Sequence, residues 1–111
     1  MPGRIWLFLT PSIHAMTRRK IVIYRAMDAL FTRAIGAHSP ARRRLIEIGC
    51  GASHWFPYFH RAFGYDVSGI DCTVAGIRLS QAILGRAGVS GRIVQGDLFE
   101  PSPDWIGQFD V

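Results

Sequence analysis

Three acidic residues are spaced so that one ligand could contact all of them. Glu47 lies in the short apolar run Leu45–Ile48, Asp71 follows a second run, and Asp97 follows a third. Carboxylates accept hydrogen bonds from the hydroxyl and amino groups of a ligand. If the runs are parallel strands of one sheet, their carboxyl ends meet at the edge where such sheets bind ligands. The sequence therefore predicts one ligand site that contains the three acids.

A glycine-rich turn, Gly49-Cys50-Gly51, follows the first run directly. Two glycines let the backbone approach a ligand closely, and the N–H groups of the following helix point toward it. Asp71 comes 20 residues after Gly51 and is placed to accept hydrogen bonds from a ribose diol. Asp97 is placed to accept one from an adenine amino group. The pattern predicts that the ligand contains an adenosine.

The residues around this turn argue against a nicotinamide or flavin dinucleotide. The dinucleotide fingerprint requires a third glycine at position 54, where this chain has His54. Glu47 would also repel a pyrophosphate placed on the turn. A ligand with an ammonium near Glu47 and a carboxylate near the helix N-terminus fits the charges better. S-adenosylmethionine offers both groups.

At these residues the sequence resembles the class I S-adenosylmethionine-dependent methyltransferases. The first motif of that family is an acid-x-Gly-x-Gly-x-Gly run at the end of the first strand. Glu47, Gly49 and Gly51 match it, whereas Ser53 stands where the family has its last glycine. A small residue still fits that place.

The resemblance extends over about residues 40 to 111 and includes two further acids. Asp71 matches the family's acid after the second strand, and Asp97 matches the acid after the third. The resemblance implies that Asp71 holds the ribose hydroxyls, Asp97 the adenine and Glu47 the methionine end of the cofactor. It also implies cofactor contacts from the residues beside these acids, which are Gly49, Cys50, Gly51, Cys72 and Leu98.

Several of these residues also have a purely structural interpretation. Asp71 could cap the following helix, and Asp97 could be a turn acid before Pro101. Cys50 and Cys72 are too few for a disulfide framework, have no CxxC spacing for zinc, and are expected to be small packing residues. The residues do not indicate a catalytic side chain.

The elements that must position this site alternate between strand and helix. This order predicts an α/β fold: a Rossmann-like methyltransferase fold with an open, mostly parallel sheet flanked by helices and incomplete at the C-terminus. The strands are predicted at Leu45–Ile48, Val67–Ile70 and Arg92–Gln95, with Phe109–Val111 as the start of a fourth. One helix is predicted at Trp55–Phe63, with a core of aromatic residues. Another is predicted after the cap residue Thr73, with an apolar face of Val74, Ile77 and Ala82 and with Leu84 near its end.

The preceding part of the chain is predicted to be helical and basic. Residues 1–40 are expected to form an N-terminal helical extension, and residues 41–111 the cofactor-binding Rossmann-like domain. An amphipathic helix is predicted from Ser12 to Ile35, with an apolar stripe of Ile23, Met27, Leu30 and Ala34 and with Phe31 and Ile35 beside it. Residues 1–46 carry nine basic side chains and one acidic, a net charge of +8, whereas residues 47–111 carry four basic and seven acidic, a net charge of −3.

These features predict the cofactor-binding half of a methyltransferase that acts on a small-molecule or protein acceptor. The alternative is a non-catalytic remnant, or a binding module whose basic helix contacts RNA or a protein. The longest apolar run, Ile5–Leu9, is too short to cross a bilayer, so we expect a soluble, cytoplasmic protein. The chain ends inside the predicted fourth strand, so we expect a fragment that lacks the catalytic half.

Overall fold

The computed structural model describes residues 18–36 and 43–111. The chain divides into two units, Met1–Ser39 and Pro40–Val111. The elements are α1 (Arg18–Ile35), β1 (Arg44–Ile48), α2 (Trp55–Phe63), β2 (Asp66–Asp71), α3 (Val74–Ala87), β3 (Gly91–Gln95) and a short 3-10 helix (Pro103–Trp105). None of the helices in these two ranges has both the length and the hydropathy that a membrane crossing requires.

The three strands of the second unit form one parallel sheet in the order β1-β2-β3. Ile48 at the end of β1 lies beside Ile70, and Asp71 at the end of β2 lies beside Gln95. The carboxyl ends of all three strands therefore meet at one edge of the sheet. The predicted parallel sheet flanked by helices is confirmed.

The last described residues pair with the other side of β1. The Asp110 N–H donates to the carbonyl of Arg44 at 2.8 Å, and the Ile46 N–H donates to the carbonyl of Val111 at 3.0 Å. The Asp110 carboxylate also accepts from the Arg44 N–H at 3.0 Å. β1 thus has β2 on one side and the predicted start of a fourth strand on the other. The strand order reverses at β1, which is where open α/β sheets bind ligands.

Helix α2 supplies most of the aromatic core of the second unit. Phe56 is completely buried, and Tyr58 and Phe59 are buried beside it. Trp55 and Phe63 are half-buried and contact Tyr58 edge-on. The prediction of an aromatic core is confirmed for Phe56 and Phe59.

The predicted apolar face of α3 is wrong at Val74 and Ala82 and is confirmed at Leu84, which is buried. Val74 is 51% exposed and Ala82 is exposed. The residues that α3 buries are Gly76, Ser80 and Leu84, four positions apart. The predicted cap is confirmed, because the Thr73 hydroxyl accepts from the N–H of Gly76. The buried face of α3 begins with the small residues Gly76 and Ser80, because this face meets Asp71 and the glycine turn. The helix therefore has a weak hydrophobic pattern.

The predicted apolar stripe of α1 is confirmed at Met27 and wrong at its other three residues, which are exposed. Ile23 and Leu30 are 53% and 47% exposed, and Ala34 is exposed. The more buried residues are Tyr24, Met27, Asp28, Phe31 and Ile35. At 3.6 residues per turn this face lies about a quarter turn from the predicted stripe. Apolar residues occur around most of the helix, so spacing alone did not select a face. The predicted start at Ser12 lies outside the described residues.

Candidate ligand site at the carboxyl ends of the strands

The glycine turn folds back onto the end of β2. Gly49 and Gly51 have φ angles of +68° and +47°, in the left-handed region that favours glycine. The N–H groups of Gly49 and Cys50 both donate to the carbonyl of Ile70, at 2.8 and 3.1 Å. The turn is therefore fixed to the neighbouring strand on its inner side.

Asp71 connects this turn to the start of α3. Its Oδ2 accepts from the Gly51 N–H at 2.7 Å, and its Oδ1 accepts from the N–H and the hydroxyl of Thr73 at 2.8 and 2.7 Å. The hydrogen bonds from Thr73 are the main cause that holds the pKa of Asp71 below its usual value, and the bond from Gly51 adds to it. A carboxylate oxygen accepts about two hydrogen bonds, so Oδ2 retains one free acceptor position.

The residue that caps α3 is Thr73, and Asp71 is not the cap. Thr73 caps α3 through its hydroxyl, which accepts from the Gly76 N–H at 3.0 Å. Asp71 accepts from the cap residue and orients it. The carboxylate thereby holds both the cap and the turn, and its charge lies between them.

Two residues of α3 that the sequence analysis did not assign to the site support Asp71 and the turn. A Cβ added at Gly76 would lie 2.7 Å from Cγ of Asp71, so only glycine fits beneath the carboxylate. The hydroxyl of Ser80, which is completely buried, donates to the carbonyl of Gly51. A glycine in the first turn of a helix is unfavourable by itself, and this was the available signal for Gly76.

Glu47 lies half-buried on β1, one residue before its end. The hydroxyl of Ser53 donates to its Oε2 at 2.5 Å. Burial raises the pKa of Glu47, and the hydrogen bond from Ser53 partly offsets that rise. Glu47 is thus a carboxyl group whose charge is made costly by burial and would be stabilised by a cation.

The structure gives Asp97 the geometry of a turn residue. Its Oδ1 accepts from the Phe99 N–H at 2.9 Å, and its carbonyl accepts from the Glu100 N–H at 3.1 Å. The side chains of Asp97 and Leu98 are exposed. The Gly96 N–H donates to the carbonyl of Asp71 at 3.0 Å, so this turn begins directly beside the end of β2. The turn interpretation describes the free chain, and a contact with adenine stays a prediction.

The two cysteines differ in environment. Cys50 is 4% exposed, as a packing residue should be, and burial raises the pKa of its thiol. Cys72 is exposed, so the prediction that it packs in the interior is wrong. It follows the last residue of β2, where its carbonyl accepts from the Gln95 amide at 3.2 Å. Residues 18–36 and 43–111 contain no group of three or more His, Cys, Asp or Glu side chains that could hold a metal ion.

The space above the turn is open. A Cβ at Gly49 would meet nothing within 4 Å, and one at Gly51 would meet only Asp71 Oδ2, at 3.8 Å. The N–H groups of Gly49, Cys50 and Gly51 are all used inside the protein. The turn therefore offers a ligand space and carboxylate acceptors, and its three N–H groups are not free to bind a phosphate. These acceptors suit hydroxyl and ammonium groups, which donate hydrogen bonds and which S-adenosylmethionine carries.

The fold and site define an α/β protein with a Rossmann-like sheet. The chain is similar to the PH0226 protein of Pyrococcus horikoshii, with a TM-score of 0.61 and 16% identity over 78% of this chain and 38% of that one. It is also similar to the YcgJ protein of Bacillus subtilis, with a TM-score of 0.53 and 25% identity over 66% of this chain and 30% of that one. Both likenesses concern the fold.

A comparison of sequences adds the family. No family model matches the chain. The chain is 35% identical over 75 residues to the ribosomal RNA small subunit methyltransferase C of Alcanivorax borkumensis, which covers 67% of this chain and 23% of that protein. This match, the fold and the motif residues together support the assignment of the chain to the class I S-adenosylmethionine-dependent methyltransferases. The chain spans about a quarter of the length of this relative.

Proposed function

We propose that this site binds S-adenosylmethionine and holds it for methyl transfer to an acceptor. The observation that carries the proposal is the Asp71 carboxylate, which is bound to the Gly51 N–H at the border of the open space above the turn. A ligand in that space would meet a fixed carboxylate with one free acceptor position. The raised pKa of Glu47, caused by burial, adds a second carboxyl group that a cation would stabilise.

Each residue of the site has a role in this proposal. Asp71 accepts a hydrogen bond from a ribose hydroxyl through the free position of Oδ2, and Glu47 binds the ammonium of the methionine part. Asp97, Leu98 and Cys72 contact the adenine end of the ligand. Gly49, Cys50 and Gly51 contact the ligand through carbonyl and Cα atoms, because their N–H groups are already bonded.

When bound, S-adenosylmethionine supplies a methyl group that its sulfonium has already activated. The chain therefore has to hold the donor in one orientation and keep its charged end neutralised, and a covalent link to the protein is unnecessary. The carboxylates of Glu47 and Asp71 hold the two ends of the donor's polar part on a rigid sheet edge. The acceptor that we propose is a small molecule or a protein.

The test of this proposal is direct binding of the chain to S-adenosylmethionine, measured by isothermal titration calorimetry. We expect saturable binding of S-adenosylmethionine and S-adenosylhomocysteine and much weaker binding of NAD, because residues 49–51 have no free N–H for a pyrophosphate. Glu47→Gln should weaken S-adenosylhomocysteine binding about tenfold. It should leave 5′-methylthioadenosine, which lacks the amino-acid part, unchanged. Equal affinity for NAD would contradict the proposal.

RNA is a second candidate acceptor, favoured by the exposed side of α1. Arg25 and Arg33 are exposed there, whereas Asp28, the helix's single acid, is 9% exposed. Exposed basic side chains attract the phosphates of RNA. The relative described above is named as a ribosomal RNA methyltransferase. If RNA is the acceptor, the basic side chains of α1 bind the phosphate backbone of the RNA.

The RNA candidate predicts binding that depends on salt and on these two arginines. Arg25→Gln together with Arg33→Gln should make the negative slope of log affinity against log salt shallower by about 1.4 for single-stranded RNA, because each phosphate contact contributes about −0.7. Fluorescence anisotropy with a labelled RNA between 50 and 200 mM salt measures it. Arg86→Gln, an exposed arginine of α3, is the control and should not change the slope. An unchanged slope in the double variant would exclude this role of α1.

A further inference from the structure

We infer that Ser53 is the positioning residue for the donor's ammonium: its hydroxyl holds the Glu47 carboxylate in the orientation that binds this group. The inference rests on the proposed function of the site. It concerns a position at which this chain departs from the family motif, because the motif has a glycine there and a glycine offers no hydroxyl.

The direction of the Ser53 proton follows from its two partners. The hydroxyl oxygen accepts from the Trp55 N–H at 3.2 Å, and an N–H can only donate. The single hydroxyl proton is then free to point at Glu47 Oε2, which lies 2.5 Å away. Ser53 is 5% exposed, so water does not compete strongly for this proton. When Glu47 is ionised, Oε2 accepts this proton and Oε1 is left for another group.

The second argument is the position of Glu47 in the fold. Glu47 is carried by β1 and Ser53 by the segment between the glycine turn and α2, so the bond joins the strand to the start of the helix. A half-buried carboxylate is costly unless it is hydrogen-bonded. Ser53 supplies that bond from the protein side. The carboxylate is thereby held in one rotamer, with its second oxygen available to an ammonium.

The experiment measures S-adenosylhomocysteine affinity of the chain as a function of pH. With Ser53→Ala we expect affinity to fall about three- to tenfold near pH 7.5 and to be lost at a higher pH on acidification than in the wild type. The reason is that Glu47 takes up a proton more readily when it lacks the hydrogen bond from the Ser53 hydroxyl. Ser53→Thr, which keeps the hydroxyl, should restore both properties. Ser53→Gly is the second variant and should behave like Ser53→Ala.

A structural role of Ser53 predicts a different result. If the hydroxyl served only to hold the Trp55 N–H at the start of α2, Ser53→Ala would weaken S-adenosylhomocysteine and 5′-methylthioadenosine equally and would not move the pH profile. That outcome would overturn the inference while wild-type binding still supported the proposed function. In a Glu47→Gln background, Ser53→Ala should change the pH profile no further. A further change there would also overturn the inference, and failure of the wild type to bind would overturn both.

Discussion

Replacement of Asp71 by alanine is expected to weaken S-adenosylmethionine binding by about tenfold to more than a hundredfold. The change removes the acceptor for the ribose hydroxyls. It also leaves the Gly51 N–H and the two Thr73 donors without their common partner. The glycine turn and the start of α3 would then lose the group that joins them. Calorimetric titration of the purified variant measures the loss.

Two further variants serve as controls for Asp71→Ala: one removes an acid elsewhere on β2, and the other removes the charge of Asp71 but keeps its shape. Asp66→Ala removes an exposed acid from the other end of β2 and should leave the affinity unchanged. Asp71→Asn keeps the shape of the side chain but places an amide N–H2 opposite at least one N–H donor, so it should also bind weakly. If Asp71→Ala bound the donor as tightly as Asp66→Ala does, Asp71 would have a structural role alone.

The two acids of the site are expected to respond to pH differently. Hydrogen bonds from Thr73 and Gly51 lower the pKa of Asp71 from its ordinary value of 3.8, so their contribution to stability is present above that value and is lost as the pH falls through the lowered pKa. Burial raises the pKa of Glu47 above its ordinary 4.5. On acidification, Glu47 therefore takes up its proton before Asp71. A loss of donor binding between neutral pH and the ordinary range of carboxylates reports on Glu47.

The parts of the site that the sequence predicted are those that depend on backbone geometry. Gly49 and Gly51 require positive φ angles, and Asp71 ends the strand beside them, so type and spacing were sufficient to place these residues at one edge. The strand positions followed from short apolar runs bounded by glycines. Parallel strands then put their carboxyl ends together.

The parts that the sequence did not predict depend on which face of a helix is buried. In α3 the buried residues near the site are Gly76 and Ser80, which carry little hydrophobic signal, whereas the more apolar Val74 is exposed. The hydrogen bond from the Ser53 hydroxyl to Glu47 was also not predicted. From the motif it is a small substitute for glycine, and only the fold shows that its hydroxyl meets Glu47. Polar partners that are distant in sequence or that replace a glycine have no periodicity to detect.

Gly69→Ala is expected to have the largest effect on stability, a loss of about 1–3 kcal/mol in the free energy of unfolding. Gly69 lies in the middle of β2, and a Cβ there would be 2.6 Å from Cζ of Phe56 and 2.9 Å from Sγ of Cys50. Both neighbours are buried, with exposures of 0% and 4%, so neither can move aside freely. Relief of the overlap would have to move α2 or the glycine turn away from β2, and donor affinity should fall as well.

The matched control is the same substitution in open space. A Cβ at Gly85, on an exposed position of α3, would meet nothing within 4 Å. Gly85→Ala should therefore stabilise the chain by about 0.4–1 kcal/mol, because alanine loses less backbone entropy in a helix than glycine does. Urea denaturation followed by circular dichroism compares both variants with the wild type. If Gly69→Ala were as stable as Gly85→Ala, β2 would not pack closely against Phe56 and Cys50. The position of the glycine turn described above would then be incorrect as well.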